Sequence, residues 1–164
     1  MLRLLPLVFA LAAFGAHAET LAGRVVNVAD GDTLTVLDSA QRQHKVRLAD
    51  IDAPEKGQAF GQRARESLAA LCAGQPAEVE QAGRDRYGRV VGRVTCARVD
   101  ANGEQVRRGM AWVYGRYAPA GSPLYRLQAE AQAGRRGLWQ DPRPKAPWDW
   151  RAEKRVRSTG ARTI

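Results

Sequence analysis

The chain has 164 residues and carries 26 Lys and Arg against 17 Asp and Glu, which gives a formal net charge of +9 and a pI near 10.4. This length predicts one domain with one core, and two cysteines are too few for a structural zinc site. A domain this basic favours an anionic polymer, most often nucleic acid, as its partner, with a merely solvated basic surface as the alternative.

Residues 1–18 are predicted to be a secretory signal peptide. Arg3 supplies a positive start, Leu4 to Phe14 is an apolar run, and Ala16-His17-Ala18 is a small-x-small cleavage site. The run is too short for a membrane span, and no later segment reaches that length. We therefore expect an exported protein, secreted or periplasmic, with no membrane contact after the signal is removed.

The remaining chain reads as an α+β pattern in which strands come first, a helix is inserted, and further strands and helices follow. The predicted strands are Leu21–Val28, Thr33–Leu37, Gln43–Ala49, Pro76–Ala82 and Arg89–Arg98. The predicted helical segments are Gly61–Ala73, a short turn at Gln105–Gly109, and a helix from Ser122-Pro123 to Arg136. We expect a folded domain over residues 19–140 and a basic, disordered tail over residues 141–164.

Cys72 and Cys96 are the only cysteines. Export permits a disulfide, and a closed loop of about 25 residues would stabilise the fold by roughly 3–4 kcal/mol on the chain-entropy model. Two buried free thiols are the alternative.

The segment Val46 to Glu55 is the most informative part of the sequence. Pro54 biases Ala53 toward an extended backbone and leaves the Ala53 carbonyl free for another partner. That carbonyl and the carboxylates on either side are hard oxygen ligands of the kind that calcium or magnesium prefers. Arg47 adds a planar, permanently charged group suited to a phosphate. Together these residue types indicate phosphoryl chemistry.

Four sequence blocks resemble the staphylococcal nuclease (thermonuclease) family and occur in the family's order. They are Asp30-Gly31-Asp32-Thr33, Arg47, Asp52-Ala53-Pro54-Glu55 and Asp85-Arg86-Tyr87-Gly88-Arg89. The resemblance implies a five-stranded OB-type β-barrel with about three helices. It also implies a calcium-dependent nuclease that hydrolyses the phosphodiester bonds of DNA and RNA and leaves 3′-phosphates.

The resemblance assigns a metal site, a phosphate site and a base. The implied calcium ligands are Asp32, Asp52 and the Ala53 carbonyl, the phosphate ligands are Arg47 and Arg89, and the residue that orients or deprotonates water is Glu55. The family's type enzyme has threonine at the Ala53 position, but only the backbone carbonyl is needed there. Each role has a structural alternative: a turn for Asp32, surface ion pairs for the arginines, and a helix N-terminus for Glu55.

Three tyrosines are candidate substrate-binding residues. Tyr87 is either a base- or sugar-stacking residue or a turn aromatic. For Tyr114 and Tyr117 the family resemblance implies a nucleotide pocket, and core packing is the alternative. In the tail, Trp148 and Trp150 are interleaved with basic residues, which favours either single-stranded nucleic acid or a solubilising end. Those basic residues are Arg151, Lys154, Arg155, Arg157 and Arg162.

Two other functions compete with the nuclease prediction. A non-catalytic nucleic-acid-binding module on the same fold would be expected to lack the acidic and arginine residues, which this sequence retains. A basic periplasmic protein that binds acidic polymers would explain the charge but would leave Asp32, Asp52 and Glu55 without a role. We expect a monomer, because no apolar seam is evident in the sequence.

Overall fold

The structure, a computed structural model, describes residues 20–160 and contains eight strands, four α-helices and one 3-10 helix within that range. The strands are β1 (Thr20–Val28), β2 (Thr33–Leu37), β3 (Gln43–Leu48), β4 (Ile51–Asp52), β5 (Pro76–Arg84), β6 (Val90–Cys96), β7 (Val99–Asp100) and β8 (Trp112–Val113). The helices are α1 (Gly61–Cys72), α2 (Ala101–Arg107), α3 (Leu124–Ala133) and α4 (Pro147–Gly160), with the 3-10 helix at Gly137–Gln140.

Five of the strands form a closed, mixed barrel. The order is β3-β2-β1-β5-β6 with antiparallel neighbours, and a parallel pairing of β3 with β6 closes it. Strand β7 pairs antiparallel with the end of β6, and β4 pairs with β8 outside the barrel. This arrangement confirms the predicted α+β class and the five-stranded OB-type barrel.

The alternation of side chains along β5 shows why these residues form barrel strands. Ala77 and Val79 are buried, while Glu78 and Glu80 between and beside them are exposed. Since successive strand residues point to opposite faces, one face of β5 meets the core and the other meets water. Helix α1 covers one side of this core with residues of its buried stripe, namely Ala64, Leu68 and Cys72.

A disulfide joins α1 to the barrel. Cys72 at the end of α1 is bonded to Cys96 at the end of β6, with a Cα–Cα distance of 5.2 Å, and both residues are fully buried. The predicted bridge is therefore present. Disulfides are typical of proteins from oxidising compartments.

Helix α2 is longer than the single turn predicted at Gln105–Gly109, and it begins four residues earlier, at Ala101. It begins after Asp100, whose Oδ1 accepts a hydrogen bond from Gly103 N at 3.0 Å, and this cap offsets the low helix propensity of the glycine. Helix α3 ends at Ala133, earlier than the predicted Arg136, because Arg135 has a φ of 47° and cannot continue a right-handed helix.

The predicted disordered tail is wrong for residues 147–160, which form α4 and raise the number of helices from about three to four within the described range. Pro147 is the first residue of α4, where the missing N–H costs nothing.

The predicted signal peptide at 1–18 and Arg162 lie outside the described residues. Within the described range, no helix combines the length and the apolar character that a membrane crossing needs.

The turn between β2 and β3 contains a buried carboxylate, Asp38. It accepts hydrogen bonds from Arg42 N and Nε, each at 2.9 Å, and its Oδ2 lies 2.8 Å from His44 Nε2. The contact with His44 and the hydrogen bonds from Arg42 lower the pKa of Asp38 below the usual 3.8. The folded state therefore holds this carboxylate ionised at pH values where the unfolded chain takes up a proton.

Asp38→Asn is expected to lower the melting temperature at pH 7, and the difference from wild type should shrink as the pH falls below about 3.8, where the unfolded chain becomes protonated. Thermal unfolding followed by circular dichroism between pH 2 and 7 measures this. Glu78→Gln removes one charge from an exposed strand position and is the control. A difference that stays constant with pH would contradict the assignment.

Candidate active site

Asp32 lies in the tight turn that joins β1 to β2. Ala29 N donates to Thr33 O at 2.9 Å, and Asp32 N donates to Asp30 Oδ1 at 3.1 Å, so the turn confirms the predicted hairpin. The Asp32 side chain points inward and the residue is only 7% exposed. Its Oδ1 accepts a hydrogen bond from Thr33 Oγ1 at 2.9 Å, which leaves Oδ2 facing the chain that follows β3.

The chain turns sharply after β3 and brings Asp52 next to Asp32. Asp50 makes this corner with a φ of 64°, a conformation that aspartate tolerates better than most residues. Tyr114 N then donates to Asp50 O at 2.8 Å, and Asp52 follows on β4 with 2% exposure. Ala53 N donates to Asp32 Oδ2 at 3.0 Å, so the two acidic segments are joined directly.

Arg47 bridges the two carboxylates. Its Nη1 donates to Asp32 Oδ2 at 2.7 Å and its Nη2 donates to Asp52 Oδ1 at 3.0 Å. The register explains the position, because Arg47 on β3 pairs with Thr33 on β2, one residue from Asp32. Burial disfavours the charge of Arg47, but Asp32 and Asp52 outweigh it and raise the pKa of the guanidinium.

Arg89 approaches the same place from the start of β6. Its Nη1 lies 3.5 Å from Thr33 Oγ1, and its Nε donates to Asp85 Oδ2 at 2.7 Å. Asp85 also accepts hydrogen bonds from the backbone N–H groups of Tyr87 and Arg89, within a turn where Gly88 has a φ of 77°. The Asp85 side chain thus holds Arg89 in position.

Glu55 lies at the edge of this cluster with 42% of its side chain exposed. Its backbone N–H donates to Gln58 Oε1 at 3.1 Å, which fixes the chain immediately after Pro54. Its carboxylate is linked to Asp52 through a residue that the sequence did not indicate. Arg151 of α4 donates to Glu55 Oε1 at 2.8 Å and to Asp52 Oδ2 at 2.7 Å.

The three candidate tyrosines have different environments. Tyr87 is 70% exposed, and its ring centroid lies 5.7 Å from the guanidinium carbon of Arg89. Tyr114 and Tyr117 form an edge-on pair with centroids 5.1 Å apart, and Tyr117 is 64% exposed. Tyr114 is also stacked on Trp148 of α4 at 5.2 Å with an interplanar angle of 8°.

Two carboxylates in and beside the site, the half-buried Asp30 and the buried Asp52, have raised pKa values. Burial, and then the charge of Asp32, raise the pKa of Asp30 to about 6. Burial also raises the pKa of Asp52, against hydrogen bonds from Arg151 and the charge of Arg47, which lower it. Carboxylates that are costly to ionise in this way are strongly stabilised when a cation is beside them.

The oxygen donors of Asp32, Asp52 and the Ala53 backbone fit a hard cation such as calcium in their chemistry. Among residues 20–160, no three or more acidic, histidine or cysteine side chains surround a common point. A cation here would therefore be held by two carboxylates, a backbone carbonyl and water.

Gln105 of α2 supports the turn that carries Asp32. This fully buried side chain donates through Nε2 to Gly31 O at 2.7 Å and to Ala64 O at 3.0 Å. It therefore connects the hairpin turn to helix α1 through the core.

Gln105→Leu is expected to destabilise the protein by about 1–3 kcal/mol, because two buried carbonyl oxygens lose their donor. Urea unfolding followed by tryptophan fluorescence measures the loss. Gln62→Leu is the matched control, since Gln62 is an exposed residue of α1, and its effect should stay within about 0.5 kcal/mol. Equal effects of the two substitutions would show that the buried contacts do not stabilise the turn.

Comparisons with known proteins identify relatives of this chain. A family model described as staphylococcal nuclease homologue matches residues 45–141. A micrococcal nuclease of Shigella flexneri is 45% identical over 139 residues, covering 79% of each chain. An Escherichia coli protein named as an uncharacterized endonuclease is 41% identical over 155 residues, covering 94% of this chain and all of the relative. A Haemophilus influenzae protein of the same name is 42% identical over 134 residues, covering 81% of this chain and 74% of the relative.

Proposed function

Because the chain belongs to the staphylococcal nuclease family, we propose that it is a calcium-dependent nuclease that hydrolyses the phosphodiester bonds of both DNA and RNA outside the cytoplasm. The observation that carries the proposal is the convergence of Asp32, Arg47 and Asp52. Arg89 lies close to them, because its Nη1 approaches Thr33, the residue that follows Asp32. These groups come from the turn before β2, from β3, from β4 and from the residue before β6, so only the folded barrel brings them together.

The arginines provide the contacts that a phosphodiester needs. A guanidinium has five N–H donors, and Arg47 donates one hydrogen bond from Nη1 to Asp32 and one from Nη2 to Asp52. Arg89 is held by Asp85 through Nε, and its Nη1 lies 3.5 Å from Thr33 Oγ1. We assign both arginines to the phosphate, where they stabilise the charge that accumulates on the five-coordinate transition state.

Glu55 is the proposed general base. Its carboxylate is within reach of solvent and shares Arg151 with Asp52, which places it beside the acidic pair. It would take a proton from the attacking water as the water oxygen bonds to phosphorus and the bond from phosphorus to the 5′ oxygen breaks. The leaving 5′ oxygen would take up a proton from solvent, which gives a 5′-hydroxyl and a 3′-phosphate. Tyr87, exposed beside Arg89, is the proposed stacking surface for a base or sugar, with Tyr114 and Tyr117 as further contacts.

Asp32, Asp52 and the Ala53 carbonyl are the proposed calcium ligands. When bound, the ion supplies positive charge that offsets the charge of the phosphate. The donor set supports this assignment, since it consists only of carboxylate and carbonyl oxygens. The raised pKa of Asp52 also supports it, since a nearby cation would relieve the cost of that buried charge.

Export is supported by the signal-like residues 1–18 and by the disulfide of the folded domain. Mass spectrometry of protein purified from the periplasm or medium should therefore give a chain that begins at Glu19. A chain that retains Met1 in the cytoplasmic fraction would contradict export.

Degradation of plasmid DNA and of RNA by the purified mature protein tests the function. We expect degradation of both substrates with calcium and none with chelator, and analysis of the product ends should find 3′-phosphates. Asp52→Asn should abolish the activity, while Asp141→Asn, outside the cluster, should not. Binding without degradation under all conditions would instead indicate a non-catalytic nucleic-acid-binding module.

A further inference from the structure

One side chain of helix α4, Arg151, contacts the acidic residues of the candidate active site. Arg151 Nη2 donates to Asp52 Oδ2 at 2.7 Å, and Nη1 donates to Asp52 Oδ1 at 3.2 Å and to Glu55 Oε1 at 2.8 Å. Arg151 and Asp52 are 99 positions apart, so the contact depends on where α4 docks. One arginine thus holds a proposed calcium ligand and the proposed base together.

These contacts occupy the oxygens that the proposed reaction needs. Asp52 Oδ1 accepts from Arg47 and Arg151, Oδ2 accepts from Arg151, and the Asp52 side chain is only 2% exposed. A calcium ion takes carboxylate oxygens at about 2.3–2.6 Å. It would meet a like-charged guanidinium whose nitrogen lies 2.7 Å from the same Oδ2. In addition, the hydrogen bond and the positive charge of Arg151 make Glu55 a weaker acceptor for a water proton.

The docking of α4 rests mainly on its first turn. Ala146 and Pro147 are buried, and Trp148 packs on Tyr114 and, edge-on, on Trp112. Arg151 is 34% exposed, and the following residues 152–158 are all exposed. A segment held at one end by few apolar contacts belongs to the parts of a protein that open at low free-energy cost.

We propose that α4 is a latch that a divalent cation displaces: Arg151 neutralises Asp52 and Glu55 in the cation-free protein, and a cation at Asp52 releases the arginine and frees Glu55. The latch rests on the calcium site of the proposed function. Because coupling between two binding events is reciprocal, loss of Arg151 must tighten cation binding, and cation binding must weaken the docking of α4.

Calcium titration by calorimetry tests the first consequence in the full mature protein. Arg151→Gln is expected to bind calcium about 5- to 150-fold more tightly than wild type, the usual range for coupled sites. Lys154→Gln removes the same charge from an exposed position of the same helix and should bind like wild type. Equal affinity of wild type and Arg151→Gln would overturn the latch.

Hydrogen exchange of the amides in residues 150–158, with and without calcium, tests the second consequence. We expect calcium to accelerate exchange in wild type, whereas Arg151→Gln should exchange fast in both conditions. Unchanged protection of α4 in calcium-saturated wild type would overturn the proposal.

The outcomes also separate the latch from the function. Calcium-dependent plasmid degradation together with equal calcium affinities would overturn the latch alone. An Arg151→Gln variant with a raised KM for DNA and an unchanged calcium affinity would make Arg151 a phosphate ligand and also overturn the latch. Failure of every variant to bind calcium would overturn both the latch and the calcium-dependent function.

Discussion

Arg89→Ala and Glu55→Gln are each expected to reduce turnover on DNA by at least about a hundredfold while the fold survives. Arg89, which immediately precedes β6, is the group that reaches Thr33, so its replacement removes a positive charge from the proposed phosphate site. The fold should survive, since the Arg89 side chain is 26% exposed and its removal opens no cavity in the core. Single-turnover degradation of a labelled oligonucleotide measures the effect.

Glu55→Gln keeps the size of the side chain and an oxygen that can accept from Arg151, but it removes the ability to take up a proton. The loss of rate should therefore appear without a change in the melting temperature beyond that of a surface substitution. A large destabilisation by this variant would instead show that Glu55 is a structural residue at the start of the segment before α1.

Arg93→Ala and Glu66→Gln are the matched controls for the two site variants. Arg93 lies on β6 with 55% of its side chain exposed, and Glu66 is an exposed residue of α1. Arg93→Ala removes one positive charge, as Arg89→Ala does, and Glu66→Gln removes one negative charge, as Glu55→Gln does. Both controls should keep turnover close to wild type. Near-normal turnover in Arg89→Ala or Glu55→Gln would refute the assignment of that residue.

Loss of the Cys72–Cys96 disulfide is expected to lower the free energy of unfolding by about 3–4 kcal/mol, because the unfolded chain regains the freedom of a loop of about 25 residues. The expected fall in melting temperature is about 10 °C for a domain of this size. Urea and thermal unfolding of a Cys72→Ala, Cys96→Ala double variant measure both quantities.

Reduction of the wild-type protein provides an independent comparison, since it opens the same loop without changing the sequence. Both routes should give similar losses of stability. Two free thiols detected by mass spectrometry without reductant, in protein from an oxidising compartment, would contradict the bridge.

The barrel could be predicted from the sequence because its strands alternate in polarity, as Ala77 and Val79 do between exposed glutamates. The tail could not, because Pro142, Pro144 and Pro147 are typical of irregular chain. The first two precede α4, and Pro147 begins it, which is the one helical position where proline is favourable. Proline content alone therefore does not distinguish a helix start from disorder.

Much of the candidate site could be predicted because its members lie in short blocks with recognisable residue types, as Asp32, Arg47 and Asp52 do. Arg151 could not, since no local pattern relates a residue of a basic tail to an aspartate 99 positions away. Its position depends on the packing of Trp148 against Tyr114, which only the folded structure contains. The contact of Asp85 could not be predicted for a similar reason, because this carboxylate acts through the side chain of Arg89.

The parallel pairing of β3 with β6 determines when, during synthesis of the chain, the candidate site can form. Val46 pairs with Val90, so Arg47 and Arg89 are brought to the same end of the sheet only after the last barrel strand has been made and has closed the barrel. A nascent chain that ends before residue 90 contains every proposed acidic group but no closed barrel to align them. A fragment ending at Gly88, which lacks both Arg89 and strand β6, should therefore leave plasmid DNA intact.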